Sequence, residues 1–165
     1  MKKLLLVTVI AVFSVATLQA QTFKIGATLG LPVADASDIS TFVLGIDAYY
    51  YFTDIDAFIE IGATAGFRNF FGDDIEILGQ TVSVDDGQFL PIAAAGRVKI
   101  FGLLSGGLDI GYALGINDGN DGGFYVRPVV GFDIADTIEL NASYESITDD
   151  GVTWGNLNVG VLFEF

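Results

Sequence analysis

The side chains that could do chemistry in this chain are almost all carboxylates. Among 165 residues there are 21 Asp and Glu against seven Lys and Arg, with no histidine and no cysteine. Without imidazole or thiol groups there is no Ser-His or Cys-His nucleophile, no imidazole zinc site and no thiolate chemistry. What remains for acid–base work is three neighbouring pairs, Asp73-Asp74, Asp85-Asp86 and Asp149-Asp150. Paired carboxyls become an acid and a base only where their surroundings push their pKa values apart. These pairs lie in polar stretches with no apolar pocket to do so. No residue is assigned as catalytic, and the expectation is a protein that is not an enzyme.

Metal chemistry is the next option for oxygen-rich loops. Asn117-Asp118-Gly119-Asn120-Asp121-Gly122 offers oxygen ligands and flexible glycines of the kind calcium accepts. It lacks the EF-hand spacing and the distal bidentate Glu, so no metal ligand and no cofactor is assigned. The acidic loops are instead expected to attract divalent cations diffusely. With Lys2 and Lys3 set aside, five basic residues face 21 acids, a net charge of −16 against −14 for the whole chain. Nucleic-acid binding needs a basic surface from which counterions are released, and is excluded.

The remaining charges follow a rule that reveals the elements positioning them. From residue 22 onward the sequence alternates apolar and polar, with Gly, Asp and Asn as punctuation, the period of β-strands. Eight strands are read at about 22–31, 41–52, 57–68, 88–100, 104–116, 124–134, 138–147 and 153–165. Each is long enough to cross a bilayer when tilted, which takes roughly 9–11 residues. In every strand the apolar parity is free of charge, as in Phe23, Ile25, Ala27, Leu29 and Leu31, or Ala57, Ile59, Ile61, Ala63, Ala65 and Phe67. The opposite parity holds Lys24, Asp47, Glu60, Arg68, Arg97, Lys99, Asp109, Arg127, Asp133, Glu139, Glu145 and Glu164, with Phe58 beside Glu60. Lys or Arg facing lipid at the midplane costs roughly 2–4 kcal/mol. A charge-free parity is therefore what a lipid-facing surface requires. The twelve charges are expected to form an ion-paired lumen network with a structural role, since an eight-stranded barrel is filled by its own side chains.

The connections alternate in the same sense. Short turns follow the second, fourth and sixth strands, at Thr53–Asp56, Phe101–Leu103 and Ala135–Thr137. Pro32–Ser40, Asn69–Gly87, Asn117–Gly123 and Thr148–Gly151 follow the odd strands and carry eleven acids and no basic residue: Asp35, Asp38, Asp73, Asp74, Glu76, Asp85, Asp86, Asp118, Asp121, Asp149 and Asp150. Three of these four connections are longer than the turns, and longer polar loops at one end with short turns at the other is an outer-membrane arrangement. Within the second loop, 75–84 alternates again. It reads as a hairpin rising above the membrane, the competing reading being two further membrane strands. Trp154 takes the inward parity near the loop end, as an aromatic plug.

Residues 1–20 read as a cleavable signal peptide: Lys2 and Lys3, then the apolar run Leu4–Val15, then small or polar residues to Ala20. Residues 21–165 form the remaining domain. The mean hydropathy of +0.56 is high, yet no later run approaches the roughly 18 apolar residues of a spanning helix. A lipid-facing barrel accounts for both. A soluble, lipocalin-like barrel with the apolar parity turned inward around a ligand is the minor alternative.

The last strand, Leu157–Phe165, ends in an aromatic residue after apolar residues at Val161 and Phe163. With the leader and eight strands it resembles the OmpA/OmpX-type small outer-membrane β-barrel family over residues 21–165. The resemblance implies an all-β, antiparallel, up-and-down transmembrane barrel in a Gram-negative-type outer membrane. It also implies Val161, Phe163 and Phe165 as the assembly signal. Partners would be the export and barrel-assembly machinery, outer-membrane lipids and lipopolysaccharide. The family has structural, adhesive, transporting and enzymatic members, so fold does not supply function. A structural or surface-interaction protein with a closed lumen and acidic extracellular loops is the first expectation, and a narrow passive porin the alternative.

Overall fold

A computed structural model describes residues 22–55, 58–77, 80–135 and 137–165. The signal-peptide reading of 1–20 lies outside them, as does the outward assignment of Ala57. The strands are β1 (Thr22–Ala34), β2 (Ser40–Ile55), β3 (Ile59–Gly72), β4 (Asp74–Ile77), β5 (Gln80–Ser83), β6 (Gly87–Ile100), β7 (Leu104–Gly115), β8 (Gly123–Ala135), β9 (Ile138–Asp149) and β10 (Val152–Glu164). Eight of them close a barrel in the order β1-β10-β9-β8-β7-β6-β3-β2, while β4 and β5 form a separate two-stranded sheet. All pairs are antiparallel, and the barrel closes where β1 meets β10, with Lys24 opposite Glu164 and Leu31 opposite Leu157. β4 and β5 thus pair outside the barrel and add no strands to its wall.

The parity rule sorts the wall as anticipated. Leu29, Leu31, Ile46, Ile92, Ile110, Phe124, Val130 and Val159 are exposed on the outside. Lys24, Asp47, Glu60, Arg68, Arg97, Asp109, Arg127, Glu139 and Glu145 are buried inside. That disposition overturns the lipocalin-like alternative, whose apolar parity would have to face inward. Aromatic side chains mark both edges of the outer band. At one edge Phe42 stacks on Phe71 at 4.2 Å, and at the other Phe23 meets Phe165 at 6.3 Å.

The strands run further into the loops than the sequence reading placed them. β1 continues to Ala34, and a 3₁₀ turn over Asp35–Asp38 leads to Ser40. β3 continues to Gly72. The link between β9 and β10 is a two-residue turn, Asp150-Gly151, with positive φ at both positions (44° and 89°). Asp-Gly is the pair that a primed hairpin turn favours, since its twist matches that of the strands. Phe58 is corrected: it is 61% exposed rather than inward. It stands in the turn before β3, beyond a register shift between Tyr51 and Thr53 that ends the simple alternation there.

Candidate functional site

The lumen carries three layers, named here from the end with short turns to the end with long loops. At the turn end, Lys24 Nζ lies 2.8 Å from Glu139 and 3.5 Å from Glu164, and Lys99 Nζ lies 2.7 Å from Glu60. Lys24 sits on β1 and Glu139 on β9, with β10 between them, so this contact bridges strands that do not pair. Asp133 is half-buried at the same mouth, and among the described residues no cation lies within salt-bridge distance of it.

The middle layer is one continuous polar network. Arg97 on β6 binds Asp109 on β7 through two hydrogen bonds, 2.7 and 3.2 Å. The Tyr49 hydroxyl on β2 donates to Asp109 at 2.9 Å and accepts from Arg127 Nη1 at 3.1 Å. Arg127 on β8 reaches across to Asp47 at 2.8 Å, and Arg68 on β3 binds the other oxygen of Asp47 at 2.8 Å. The Nε of Arg68 binds Glu145 on β9 at 2.8 Å, and Tyr125 donates to the same oxygen at 3.1 Å. Three guanidinium groups thus face three carboxylates, so the layer is neutral.

Those distances are within the range for charge-assisted hydrogen bonds, and the planar Arg fork lets one side chain address two partners at once. Arg68 also donates to the carbonyls of Ile46 and Phe67, at 3.2 and 3.0 Å. Arg68 and Arg127 are among the largest fully buried side chains. They fit because small residues face them. A Cβ at Gly45 would stand 2.7 Å from Arg68 Nη1, and one at Gly107 would stand 2.9 Å from Arg97 Nη1.

At the loop end the chemistry changes to hydrocarbon. Val43, Phe70, Phe89 and Ile147 have no exposed surface, and they pack with Ala36, Ala93, Ala113 and Tyr125. Trp154 covers this cluster, edge-on to Phe70 and Phe89 with centroids at 5.2 Å in both cases. Gly87 makes room for the indole, since a Cβ there would meet the ring at 2.7 Å. Beyond Val43 and Trp154, both on the inward parity, the sequence reading did not gather this cap. Phe89 and Ile147 share the parity of Arg97 and Glu145, so alternation alone could have placed them. Phe70 was hidden because β3 was ended at Arg68.

Above the cap a cavity of about 410 Å³ opens among the loops, rimmed by Asp85, Asp86, Asp118, Asp121, Asp149 and Asp150. Asn69 and the Gly72 amide donate to Asp86 at 2.8 and 3.0 Å, and these bonds hold its carboxyl below the usual carboxylate range. The oxygens considered for calcium are partly committed elsewhere. Asn117 Oδ1 accepts from the Gln88 amide at 3.0 Å, and Asn120 Oδ1 accepts from the Gly122 amide at 3.1 Å. Among the described residues no cluster of three metal-ligating side chains is present. Val161, Phe163 and Phe165 lie along the turn-end half of β10 and beyond it, with Phe163 and Phe165 pointing outward, 45% and 77% exposed.

A closed eight-stranded antiparallel barrel with a charged interior and apolar exterior is the fold of small outer-membrane proteins. The solved structures agree. The outer membrane protein Ail of Yersinia pestis in a phospholipid bilayer nanodisc matches with a TM-score of 0.62 and 14% identity, over 88% of this chain and 100% of that one. A crystal structure of Ail in complex with the heparin analogue sucrose octasulfate matches at 0.52 and 15% identity, over 88% and 97%. A de novo designed transmembrane β-barrel matches at 0.54 and 9% identity, over 90% and 98%. No family model and no curated protein matches the chain. A natural and a designed barrel share this architecture, so the likeness fixes the fold and leaves activity to the residues.

Proposed function

We propose that this chain is an integral outer-membrane barrel, exported by residues 1–20, that acts as a structural or surface-interaction protein and does not conduct. The lumen network and the aromatic cap form its closed interior, and the acidic loops form its outward face. The observation that carries the reading is the span of Arg127: from β8 it reaches Asp47 on β2, while Arg68 joins Asp47 to Glu145 on β9. Side chains from four strands therefore meet across the lumen.

The alternative of a narrow passive porin needs a continuous water path. Such a path would have to pass both the neutral arginine–carboxylate layer and the apolar Phe70–Phe89–Trp154 cap. The outward-facing Phe163 and Phe165, with Val161, are read as the strand that the assembly machinery recognises. All five basic residues of 22–165 belong to the lumen, four buried and Lys99 with 27% of its side chain exposed. The phosphates of lipopolysaccharide are therefore met only by acids at the loop rim, and contact with them runs through divalent cations. A polysulfated ligand such as the one crystallised with Ail would likewise find no exposed cation on the loop rim.

The test is conductance of refolded protein in planar bilayers. The expected record is flat, without stable unitary openings. A reproducible unitary conductance from the unmodified chain would replace the closed-barrel reading with the porin.

A further inference from the structure

The ionic interior is not evenly balanced along its length. The middle layer sets three guanidinium groups against three carboxylates. At the turn-end mouth four lumen carboxylates, Glu60, Asp133, Glu139 and Glu164, meet only Lys24 and Lys99. Lys99 lies against Glu60, and Lys24 against Glu139 and Glu164. Asp133 on β8 stands directly opposite Glu139 on β9 in the ladder. Like charges so placed repel, since facing side chains are about 5 Å apart at Cβ. A third oxygen points into the same space. Ser105 on β7 is opposite Gly131 on β8 and is 5% exposed, and its hydroxyl has no hydrogen-bond partner among the described residues. Gly131 leaves the opening: a Cβ there would touch both Ser105 Oγ and Glu139 Oε1, while Lys24 bonds the other Glu139 oxygen.

We infer that this mouth binds one partly hydrated divalent cation of the magnesium type, held by Asp133, Glu139 Oε1 and Ser105 Oγ. The charge fits, because four carboxylates and two ammonium groups leave two negative charges that a dication cancels. No side chain replaces the ion, since all five basic residues of 22–165 already hold other carboxylates. The donors fit as well, because carboxylate and hydroxyl oxygens suit hard cations. Fewer than three carboxylates converge on one point among the described residues, so the ion retains several waters, as magnesium readily does. Asp133 is only half-buried, which gives those waters room toward the mouth. The site lies at the opposite end from the acidic loops, and it does not depend on whether the lumen conducts.

Mn²⁺ is the probe, a paramagnetic hard dication that takes the same oxygen ligands. Amide spectra of the full barrel in zwitterionic micelles are followed as Mn²⁺ is added. Broadening is expected at Ser105, Gly131 and Glu139, independent of any at Gly119 in the acidic loops. Excess Mg²⁺ should reverse it, and NaCl at equal ionic strength should not. Asp133→Asn should raise the Mn²⁺ concentration for half-broadening by at least about tenfold, whereas Asp118→Asn on the loop rim should leave it unchanged. Gly131→Ala, which fills the opening, serves as the second variant if Asp133→Asn does not fold. The inference is overturned if the turn-end amides do not broaden, or if Asp133→Asn leaves their broadening intact. Reversal by NaCl as complete as by Mg²⁺ also overturns it, since that marks diffuse attraction in place of a site.

Discussion

The middle of the lumen and its loop end are closed by opposite chemistries. In the middle, Arg68, Arg97 and Arg127 meet Asp47, Asp109 and Glu145 through contacts of 2.7–2.8 Å. At the loop end, Phe70, Phe89 and Trp154 meet edge to face with centroids 5.2–5.6 Å apart. The charged layer is directional, and each member depends on named partners. The cap is non-directional and depends on filled volume. Removing a member of the first strands a buried charge. Removing a member of the second leaves a hole that neighbours can partly fill.

That contrast orders the expected effects of mutation. Arg127→Ala would leave Asp47 with one cation and remove a donor to Tyr49 and Ser143. Breaking a buried pair costs about 3–5 kcal/mol, so a large drop in the urea midpoint of the micelle-bound barrel is expected, without a stable conductance. Large, stable channels from this variant or from Arg97→Ala would mean that the ion pairs hold a pore shut instead of filling a core. Phe89→Ala tests the cap. A buried Phe truncation costs about 3 kcal/mol, and a lumen closed twice stays non-conducting because the ionic layer remains. If Phe89→Ala conducts, the cap is the true seal.

Smaller effects probe the links within each region. Tyr49→Phe removes the hydroxyl that joins Asp109 to Arg127, and a lost hydrogen bond to charged groups is worth about 1.5–3 kcal/mol. A double-mutant cycle of Tyr49→Phe with Arg127→Ala should be non-additive, since both touch one bond. The smallest effect is the pH response of the loop around Asp86. Its folded-state pKa is depressed by the Asn69 and Gly72 bonds. Its contribution is therefore complete above the unfolded value of about 3.9 and declines as pH falls through the lower folded value. Amide exchange at Gly72 should rise in that acid window, and Asp86→Asn should abolish the rise.

Alternation made the eight-stranded wall legible, because a one-residue slip would have turned each strand's apolar set off the outer face. Partner choice was not legible. Asp109 lies directly opposite Arg127 in the β7–β8 register, yet it binds Arg97 and Tyr49, while Arg127 crosses the lumen to Asp47. Neighbouring strands can be matched from a hairpin, but contacts across the lumen depend on tilt and stagger around the whole closed sheet. Phe70 of the cap was lost for a simpler reason. Asn69 and Gly72 on either side of Phe70 read as loop, whereas the strand continues through them and Phe70 keeps the inward parity of Arg68.

The seam between β1 and β10 has a kinetic consequence. Lys24 and Glu164 are register partners about 140 positions apart, and the Phe165 amide donates to the Phe23 carbonyl at 2.9 Å. Every other barrel strand can pair with a neighbour in a hairpin or across one excursion, but this contact waits until the final strand arrives. Contacts so distant in sequence are slow to form, because loop closure must precede any reward. An open sheet with two bare edges is thus the natural intermediate, and its edges are templates for pairing with another chain. Cross-linking β1 to β10 through introduced cysteines should therefore become efficient only late in refolding, in step with the heat-modifiable form.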